Sequence, residues 1–335
     1  MPVTNIETRV VDAVAGRLAA LRVVCPACRG ELREEADRIT CLNCGAAFGF
    51  CGEFPNLVLG DRFDDPTDEA QMLYEEEANA DTTENYWLPR FRQFWPSVSE
   101  PARLLSLGCG TGVDVDMLAT AGFDCVGVDC GNRTHAWTRR QRRQRLLLAN
   151  GKHLPFESES FDGVFCGCVF PHVGVVGDSH SVRPDYAAER AALAREITRV
   201  LKPDGRIFVS SPNRWFPFDI FHGRAAGSHR PRPYCFRDPF LLSRADYSRL
   251  FAPAGCARAE AQPVRGYWGF VRSRGSLKGR LLGWPVRLLF NFVSLPGLGA
   301  LRASPLNPWL VVMLTKKAWR DTGIQPYEKR GKEKS

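Results

Sequence analysis

The sequence LLSLGCGTGVDVDML, residues 104–118, decides the fold of this 335-residue chain. Its first four residues, three of them leucine, are typical of a buried parallel strand. Glycines follow at alternate positions, and the next residues predict a helix that ends at Gly122. Glycine lets a backbone approach a ligand closely, and a helix N-terminus offers free N–H donors. We therefore predict a cofactor-binding loop at Gly108, Cys109, Gly110 and Gly112.

The residues after this loop continue the alternation of strand and helix. FDCVGVDC, residues 123–130, predicts a second strand that ends near Asp129, seventeen residues after Gly112. A carboxylate at that position can accept hydrogen bonds from both ribose hydroxyls of a nucleotide cofactor, and the alternative is an aspartate that caps the loop. Strand and helix alternate over 103–211, which favours an α/β fold with a Rossmann-like, doubly wound sheet.

Four motifs within 100–213 resemble those of class I S-adenosylmethionine (SAM) methyltransferases, in the same order and spacing. GxGxG at 108–112 is similar to their motif I, whereas the GxGxxG dinucleotide fingerprint fails at Val113. ANGKHLPFESESFDGV (149–164) and REITRVLKPDGRIFVSSPN (195–213) are similar to later motifs of the ubiquinone and menaquinone methyltransferases. The resemblance implies SAM at the carboxyl ends of the first strands, with Asn150 and Gly151 completing the cofactor site.

One position departs from this family. Its members usually carry an acid where this chain has Ser106, and that acid helps to position the amino-acid end of SAM. Serine cannot supply a charge, so Asp114 and Asp116 on the following helix are the candidates to replace it. The departure concerns cofactor affinity and does not change the predicted fold.

Two CxxC pairs near the start of the chain predict a metal site. CPACRGELREEADRITCLNC (25–44) places twelve residues between the pairs, and four such thiolates can close tetrahedrally on one Zn²⁺. Because they fill every coordination position, the zinc is predicted to be structural. A unit of this size needs a metal since burial alone cannot stabilise it. The predicted ligands are Cys25, Cys28, Cys41 and Cys44.

Residues 25–58 resemble the small zinc-binding activator proteins of methyltransferases, here fused to the enzyme. The resemblance implies that this zinc ribbon rigidifies one edge of the enzyme or shapes its substrate entrance. The alternative is an RNA-binding ribbon, as in some ribosomal-RNA methyltransferases. Between the two cysteine pairs, however, three arginines face four acids, and a ribbon without excess positive charge is a poor anchor for phosphates.

The composition fits a globular protein with an intracellular location. Hydrophobic residues make up 44% and charged residues 24%, and the net charge is +8. The charge is uneven: 61–84 holds ten acids and one base, 130–156 seven bases and no acid, and 261–320 ten bases and no acid. The opening residues do not resemble a signal peptide, so the twelve cysteines predict a cytoplasmic protein, with peripheral contact at the inner face of the membrane left open.

We divide the chain into an N-terminal helix and zinc ribbon (1–60), an acidic linker and cofactor lid (61–98), the methyltransferase domain (99–320) and a disordered tail (321–335). The domain contains a basic, apolar insertion at 266–307. Its longest uncharged run, 288–301, is too short to span a bilayer, which needs about 20 residues. Contact with an anionic membrane and a lid over the substrate pocket both remain open.

These features predict an enzyme that moves the methyl group of SAM to an oxygen or carbon of a small-molecule or lipid-linked acceptor. His172 follows the fourth strand and is the candidate general base, although the corresponding family histidine is often structural. The NPPY signature of base-amine methylation is absent. An RNA methyltransferase and a non-catalytic SAM-fold binding module are the alternatives. The acceptor and the oligomeric state remain open.

Overall fold

The structure is a computed structural model that describes residues 17–61, 69–97, 99–131, 133–177, 179–219, 232–233, 236–267 and 277–318. Thirteen strands are found in these ranges: β1 (Leu32–Glu34), β2 (Ile39–Cys41), β3 (Ala47–Cys51), β4 (Phe54–Asn56), β5 (Arg103–Leu107), β6 (Asp124–Asp129), β7 (Leu146–Leu148), β8 (Phe161–Gly167), β9 (Leu201–Pro212), β10 (Phe218–Asp219), β11 (Arg232–Pro233), β12 (Glu260–Ala261) and β13 (Trp309–Thr315).

Helices connect and cover these strands. They are α1 (Arg17–Ala20), α2 (Glu69–Thr82), a π-helical turn (Thr83–Trp87), α3 (Leu88–Phe94), α4 (Val113–Thr120), α5 (Thr134–Trp137), α6 (Tyr186–Val200), α7 (Arg244–Phe251) and α8 (Leu277–Val293). Within the described ranges, none of the helices has both the length and the apolar character needed to cross a lipid bilayer.

Eleven strands form one sheet in the order β1-β2-β3-β4-β7-β6-β5-β8-β9-β13-β12. Strands β7, β6, β5, β8 and β9 are parallel, and β13 is antiparallel to β9. The first strand of the cofactor motif, β5, therefore lies in the middle, and the chain winds outward from it in both directions. The doubly wound, Rossmann-like α/β sheet predicted from the sequence is confirmed.

The core lies on both faces of this sheet. All five residues of β5 are buried, as expected for a parallel strand covered on both sides. Leu105 and Leu107 point into a cluster that includes Ile197 of α6 and Tyr247 of α7. Leu104 points the opposite way, into a cluster built with the π-helical turn, α3 and α8. The two clusters fix β5, and hence the glycine loop that follows it.

The cysteine-containing hairpin is continuous with the sheet. Strand β4 runs parallel to β7, the edge strand of the parallel part, and the Leu57 N–H donates to the Leu148 carbonyl at 2.8 Å. The Val24 N–H donates to the Pro155 carbonyl at 2.9 Å on the same side. The ribbon thus covers an edge that would otherwise present unpaired backbone groups.

Local sequence sets the bounds of two later elements. Strand β12 does not continue past Ala261 because Pro263 has no N–H to extend the ladder. Helix α7 begins at Arg244. Ser243 forms a capping box with Asp246, and this reciprocal bond fixes the start of α7. The predicted tail, 321–335, lies outside the described residues.

Candidate active site

The loop after β5 can be built only with glycine. Gly108, Gly110 and Gly112 have φ values of 69°, 52° and 73°, in the left-handed region. A Cβ on Gly108 would lie 2.5 Å from Val169 Cγ2, and one on Gly112 would lie 2.9 Å from Leu146 Cδ1. The loop therefore brings its backbone close to its neighbours. Gly108 is exposed and Gly110 half-buried, whereas Val113 and Asp114 at the start of α4 are buried.

Asp129 closes this loop from the end of β6. Its carboxylate accepts hydrogen bonds from the N–H groups of Gly110 at 3.0 Å and Gly131 at 2.8 Å. The structure therefore brings together the glycine loop and the aspartate that the sequence singled out, nineteen residues apart. The capping role that we considered as an alternative is present. It is compatible with ribose binding, because a carboxylate has about four lone-pair sites.

Helix α2 of the acidic segment lies over the loop. A Cβ on Gly110 would lie 3.8 Å from Asn79 Nδ2 of α2. The Glu75 carboxylate of the same helix accepts two bonds from the Arg133 guanidinium, both at 3.2 Å, just beyond β6. Such a bidentate pair fixes orientation as well as distance. It holds α2 against the part of the sheet where the cofactor is predicted.

A carboxylate from α4 contacts Ser106 and lies near the position where the family usually has an acid. The Ser106 hydroxyl donates to Asp114 Oδ2, and both residues are buried. Burial disfavours the charged form and raises the pKa of Asp114 to about 6. Asp116, the other candidate, instead accepts the N–H groups of Gln141 and Arg142 at 2.9 and 2.7 Å. The acid near Ser106 is therefore Asp114.

Asn150 and Gly151 lie in the turn after β7, at the same end of the sheet. The Asn150 side chain accepts the Lys152 N–H at 3.0 Å and donates to the Asp61 carbonyl at 2.8 Å. A Cβ on Gly151 would lie 2.7 Å from Leu193 Cδ1, so a larger residue here would have to displace that buried leucine. Their contact with an adenine ring stays a prediction.

A tyrosine that the sequence analysis missed lies beyond β8 and β9. The hydroxyls of Tyr267 and Ser210 are 2.7 Å apart, at the end of β9. The Tyr267 ring packs edge-on against Tyr86 of the π-helical turn, with centroids 5.0 Å apart. Burial raises the pKa of Tyr267, so its hydroxyl is protonated at neutral pH. Fifty-seven residues separate the pair, and no local pattern connects them.

His172 lies in the short helical turn that follows β8, as predicted. It is half-buried, and its ring packs edge-on against Phe240 with centroids 5.8 Å apart. His180 packs against the same phenylalanine at 6.4 Å. A role for His172 as a base stays a prediction.

Asn213 has a structural role instead. Its buried side chain donates to the carbonyls of Ser304 and Asn307, both at 2.9 Å, and accepts the Trp215 N–H at 3.2 Å. All of these partners are backbone atoms, so the amide clamps the loop after β9 to the approach of β13. The Asn213 amide is therefore engaged in holding the backbone together.

The four predicted ligands form a compact sulfur cluster. The Sγ atoms of Cys25, Cys28, Cys41 and Cys44 all lie within 4.8 Å of one another. Two of the separations are 3.8 Å (Cys25 to Cys44) and 3.5 Å (Cys28 to Cys41). Zn–S bonds of about 2.3 Å in a tetrahedron require S···S separations of about 3.8 Å. The cluster therefore fits one tetrahedral metal ion.

Hydrogen-bond donors favour the thiolate at Cys28, whereas burial raises the pKa of Cys25. The Asn43 amide and the Gly30 N–H donate to Cys28 Sγ at 3.5 and 3.4 Å, and together they lower the pKa of Cys28 to about 6. The Asn43 N–H donates to Cys41 Sγ at 3.4 Å. The thiolate is the form that binds metal.

The ribbon contacts the cofactor loop through one aromatic pair. Phe54 of β4 packs edge-on against Trp137 of α5, with ring centroids 5.2 Å apart. The Trp137 indole N–H donates to the Gly110 carbonyl at 2.7 Å. Both side chains are fully buried. Trp137 therefore links Phe54 of the ribbon to the backbone of the glycine loop.

Comparison with known proteins assigns the class of this site. Residues 105–209, from β5 to β9, match a family whose description is "Methyltransferase domain". The chain contains a methyltransferase domain. It includes the glycine loop, Asp114, Asp129 and Ser210, so the site described above belongs to this domain. Proteins similar to it include probable S-adenosylmethionine-dependent methyltransferases.

Three of these relatives show how far the similarity extends. The biotin biosynthesis bifunctional protein of Cellvibrio japonicus is 28% identical over 120 residues, 35% of this chain and 21% of that protein. A probable S-adenosylmethionine-dependent methyltransferase of Mycobacterium tuberculosis is 30% identical over 135 residues, 39% and 44% of the two chains. A ubiquinone biosynthesis O-methyltransferase of Aeromonas salmonicida is 28% identical over 118 residues, 33% and 44%. The chain spans less than half the length of these relatives.

Proposed function

We propose that this protein transfers the methyl group of SAM to an oxygen or carbon atom of a small-molecule or lipid-linked acceptor. The observation that carries the proposal is the junction of the glycine loop with Asp129 beneath α2, within a matched methyltransferase domain. The similarity to a ubiquinone biosynthesis O-methyltransferase supports this acceptor class. We also propose that the four cysteines hold a structural Zn²⁺.

In this proposal, each part of the site has one task. SAM, when bound, supplies an electrophilic methyl group on a sulfonium. Asp129 holds the ribose, the glycine loop lets the backbone approach, and Asp114 offers a carboxylate to the amino-acid end. Methyl transfer is an in-line displacement with a neutral leaving group, so alignment supplies most of the rate enhancement. A hydroxyl acceptor also needs a base, and His172 remains the candidate.

Calorimetry and a transfer assay test the proposal. Metal-loaded protein is titrated with SAM and with S-adenosylhomocysteine (SAH), and radiolabel from methyl-labelled SAM is followed into the organic phase of a lipid-extract reaction. Binding together with label transfer is the expected result. Binding without transfer to any small molecule or lipid would favour the non-catalytic module. Transfer of the label to RNA instead would show that the acceptor is RNA and not a small molecule or lipid.

Replacing Asp114 should reveal how much its carboxylate, which lies near Ser106, contributes to cofactor binding. We expect Asp114→Asn to weaken SAH binding about tenfold, since a hydrogen bond to a charged group contributes about 1.5–3 kcal/mol. In the wild type, the pKa of Asp114 is about 6. Its ionised fraction, and with it the affinity for the SAH ammonium, should therefore fall as the pH drops through 6. The variant should lose that dependence.

The matched control is Asp116→Asn, on the same helix but bonded to the 141–142 backbone. It should keep both the affinity and the pH profile. An Asp114→Asn protein with an unchanged pH profile of SAH binding would show that this carboxylate does not meet the cofactor.

Tyr267 is proposed to position the acceptor, because its hydroxyl lies at the ends of β8 and β9. Tyr267→Phe should lower label transfer about tenfold and leave SAH affinity unchanged, as expected for loss of one positioning hydrogen bond. The control is Tyr247→Phe. Its hydroxyl pairs with Ser211 at 3.0 Å on the opposite face of the same strand. Equal losses in both variants would indicate a general effect on β9.

A further inference from the structure

Helix α8 is apolar on two opposite sides. Its inner side packs into the core, where Phe290 and Val293 are 3% and 0% exposed. The other side carries large apolar residues at steps of three and four, which places them in one row along the helix and its C-terminal extension. We call this row the outer stripe. It consists of Leu277, Leu281, Trp284, Leu288, Phe292 and Leu295, which are 47–67% exposed.

An exposed row of this size indicates a partner. Single apolar residues on a surface are ordinary, whereas a contiguous patch of large ones marks an interaction site. The inner side already supplies the burial that keeps α8 on the protein. The outer stripe therefore adds nothing to the fold that the described residues show, and an occupant is needed to remove it from water.

The charge distribution limits what that occupant can be. The basic block at 130–156 is partly neutralised by the acidic block, because Arg133 pairs with Glu75 and Arg140 with Glu76. The basic segment 261–320 contains no acid of its own. Lys316 near its end pairs with Glu159 of another segment, and α8 contributes Lys278 and Arg280. The outer stripe is apolar and lies within a positively charged segment. It is therefore complementary to a surface that has anionic groups above an apolar layer.

We propose that the outer stripe docks α8 onto the surface of an anionic lipid bilayer. Interfacial helices combine an apolar face that includes Trp, Phe and Leu with Lys and Arg that meet anionic head groups. A second copy of this chain would instead bring two acid-free basic segments together, and like charges oppose that contact. The helix lies in the plane of the interface, with its inner side on the protein.

The position of α8 connects this surface to the acceptor side of the site. Just beyond α8, Ser294 Oγ accepts the N–H groups of Val264 and Arg265 at 3.0 and 2.9 Å. That segment leads directly to Tyr267, whose hydroxyl meets Ser210. A lipid-linked acceptor would thus enter beside the residue proposed to position it. This connection rests on the proposed function, whereas the docking itself does not.

Vesicle flotation tests the docking. The full-length protein is mixed with vesicles of phosphatidylcholine alone or with added phosphatidylglycerol. We expect binding to the anionic vesicles, little to the neutral ones, and release as salt screens the charges. Leu281→Glu/Trp284→Glu should weaken the binding at least about tenfold, because two large side chains no longer enter the apolar layer. The control, Val176→Glu, changes a residue that is 58% exposed elsewhere and should bind as the wild type does.

The other outcomes overturn the proposal. Equal binding of wild type and stripe variant to vesicles would show that the outer stripe is not the contact. A dimer in light scattering that the stripe variant dissociates, without vesicle binding, would assign the face to a second copy. SAH titration of the same preparations separates this result from the proposed function: both variants should bind SAH as the wild type does, since their substitutions lie outside the cofactor site.

Discussion

Replacing Asp129 with alanine should abolish measurable SAM and SAH binding, with a loss of affinity of about 100-fold or more. The proposed ribose contacts are two hydrogen bonds to a charged acceptor, each of about 1.5–3 kcal/mol, and every 1.4 kcal/mol corresponds to a factor of ten. The same carboxylate accepts the Gly110 N–H at 3.0 Å, so its loss also loosens the loop that receives the cofactor. Both effects lower the affinity for SAM and SAH.

Calorimetry with SAH measures this loss, and Asp116→Ala is its matched control. Asp116 also accepts two backbone N–H groups, at 2.9 and 2.7 Å, but it holds the loop at 141–142 rather than the glycine loop. The two variants should lose comparable stability in thermal unfolding, while only Asp129→Ala loses SAH binding. An Asp129→Ala protein that binds SAH as the wild type does would remove the central contact of the proposed site.

The parts of this molecule that the sequence predicted are those encoded locally. Alternating glycines after a short apolar run require one turn conformation, so residues 104–118 gave the strand, the loop and the helix in the right order. Asp129 could be predicted because the tip of the second strand lies beside the first in any sheet wound this way. The cysteine cluster was predictable since each CxxC turn aims two sulfurs at one point.

Contacts between distant segments could not be predicted in the same way. Asp114 and Asp116 were equal candidates in sequence, but residues two apart on a helix face different directions, and only the packing of α4 decides which one meets Ser106. Tyr267 reaches Ser210 because the segment before α8 returns to the sheet, a path that no local pattern encodes. The pairing of β4 with β7 likewise joins two residues, Asn56 and Leu148, that are 92 positions apart.

The pairing of β4 with β7 joins the ribbon to the sheet. Removal of the metal that holds the ribbon should therefore also have a large effect. We expect a chelator, or the double substitution Cys41→Ser/Cys44→Ser, to remove about one Zn²⁺ per chain and to unfold the ribbon. Structural zinc contributes about 10–16 kcal/mol in zinc-finger peptides, and a unit of this size cannot replace that contribution by burial alone. Plasma mass spectrometry measures the metal, and thermal unfolding measures the stability.

The control for this experiment is Cys51→Ser. Cys51 lies on β3 but outside the cluster, and its Sγ is 3.7 Å from Thr134 Oγ1. The variant should retain the metal and nearly all of the stability. A wild-type protein that carries no metal when produced with zinc, or that is equally stable after chelation, would contradict a structural zinc site.

Loss of the metal should also weaken cofactor binding, although no cysteine ligand lies at the glycine loop. When the ribbon unfolds, Phe54 leaves Trp137, and the indole that donates to the Gly110 carbonyl at 2.7 Å loses its support. An edge-on aromatic pair contributes about 0.5–1.5 kcal/mol, so Phe54→Leu alone should lower SAH affinity severalfold with the metal still bound. If chelation unfolds the ribbon while SAH binding and the Phe54→Leu affinity stay at wild-type values, the ribbon only covers the sheet edge. If both fall together, the ribbon supports the loop through Phe54 and Trp137.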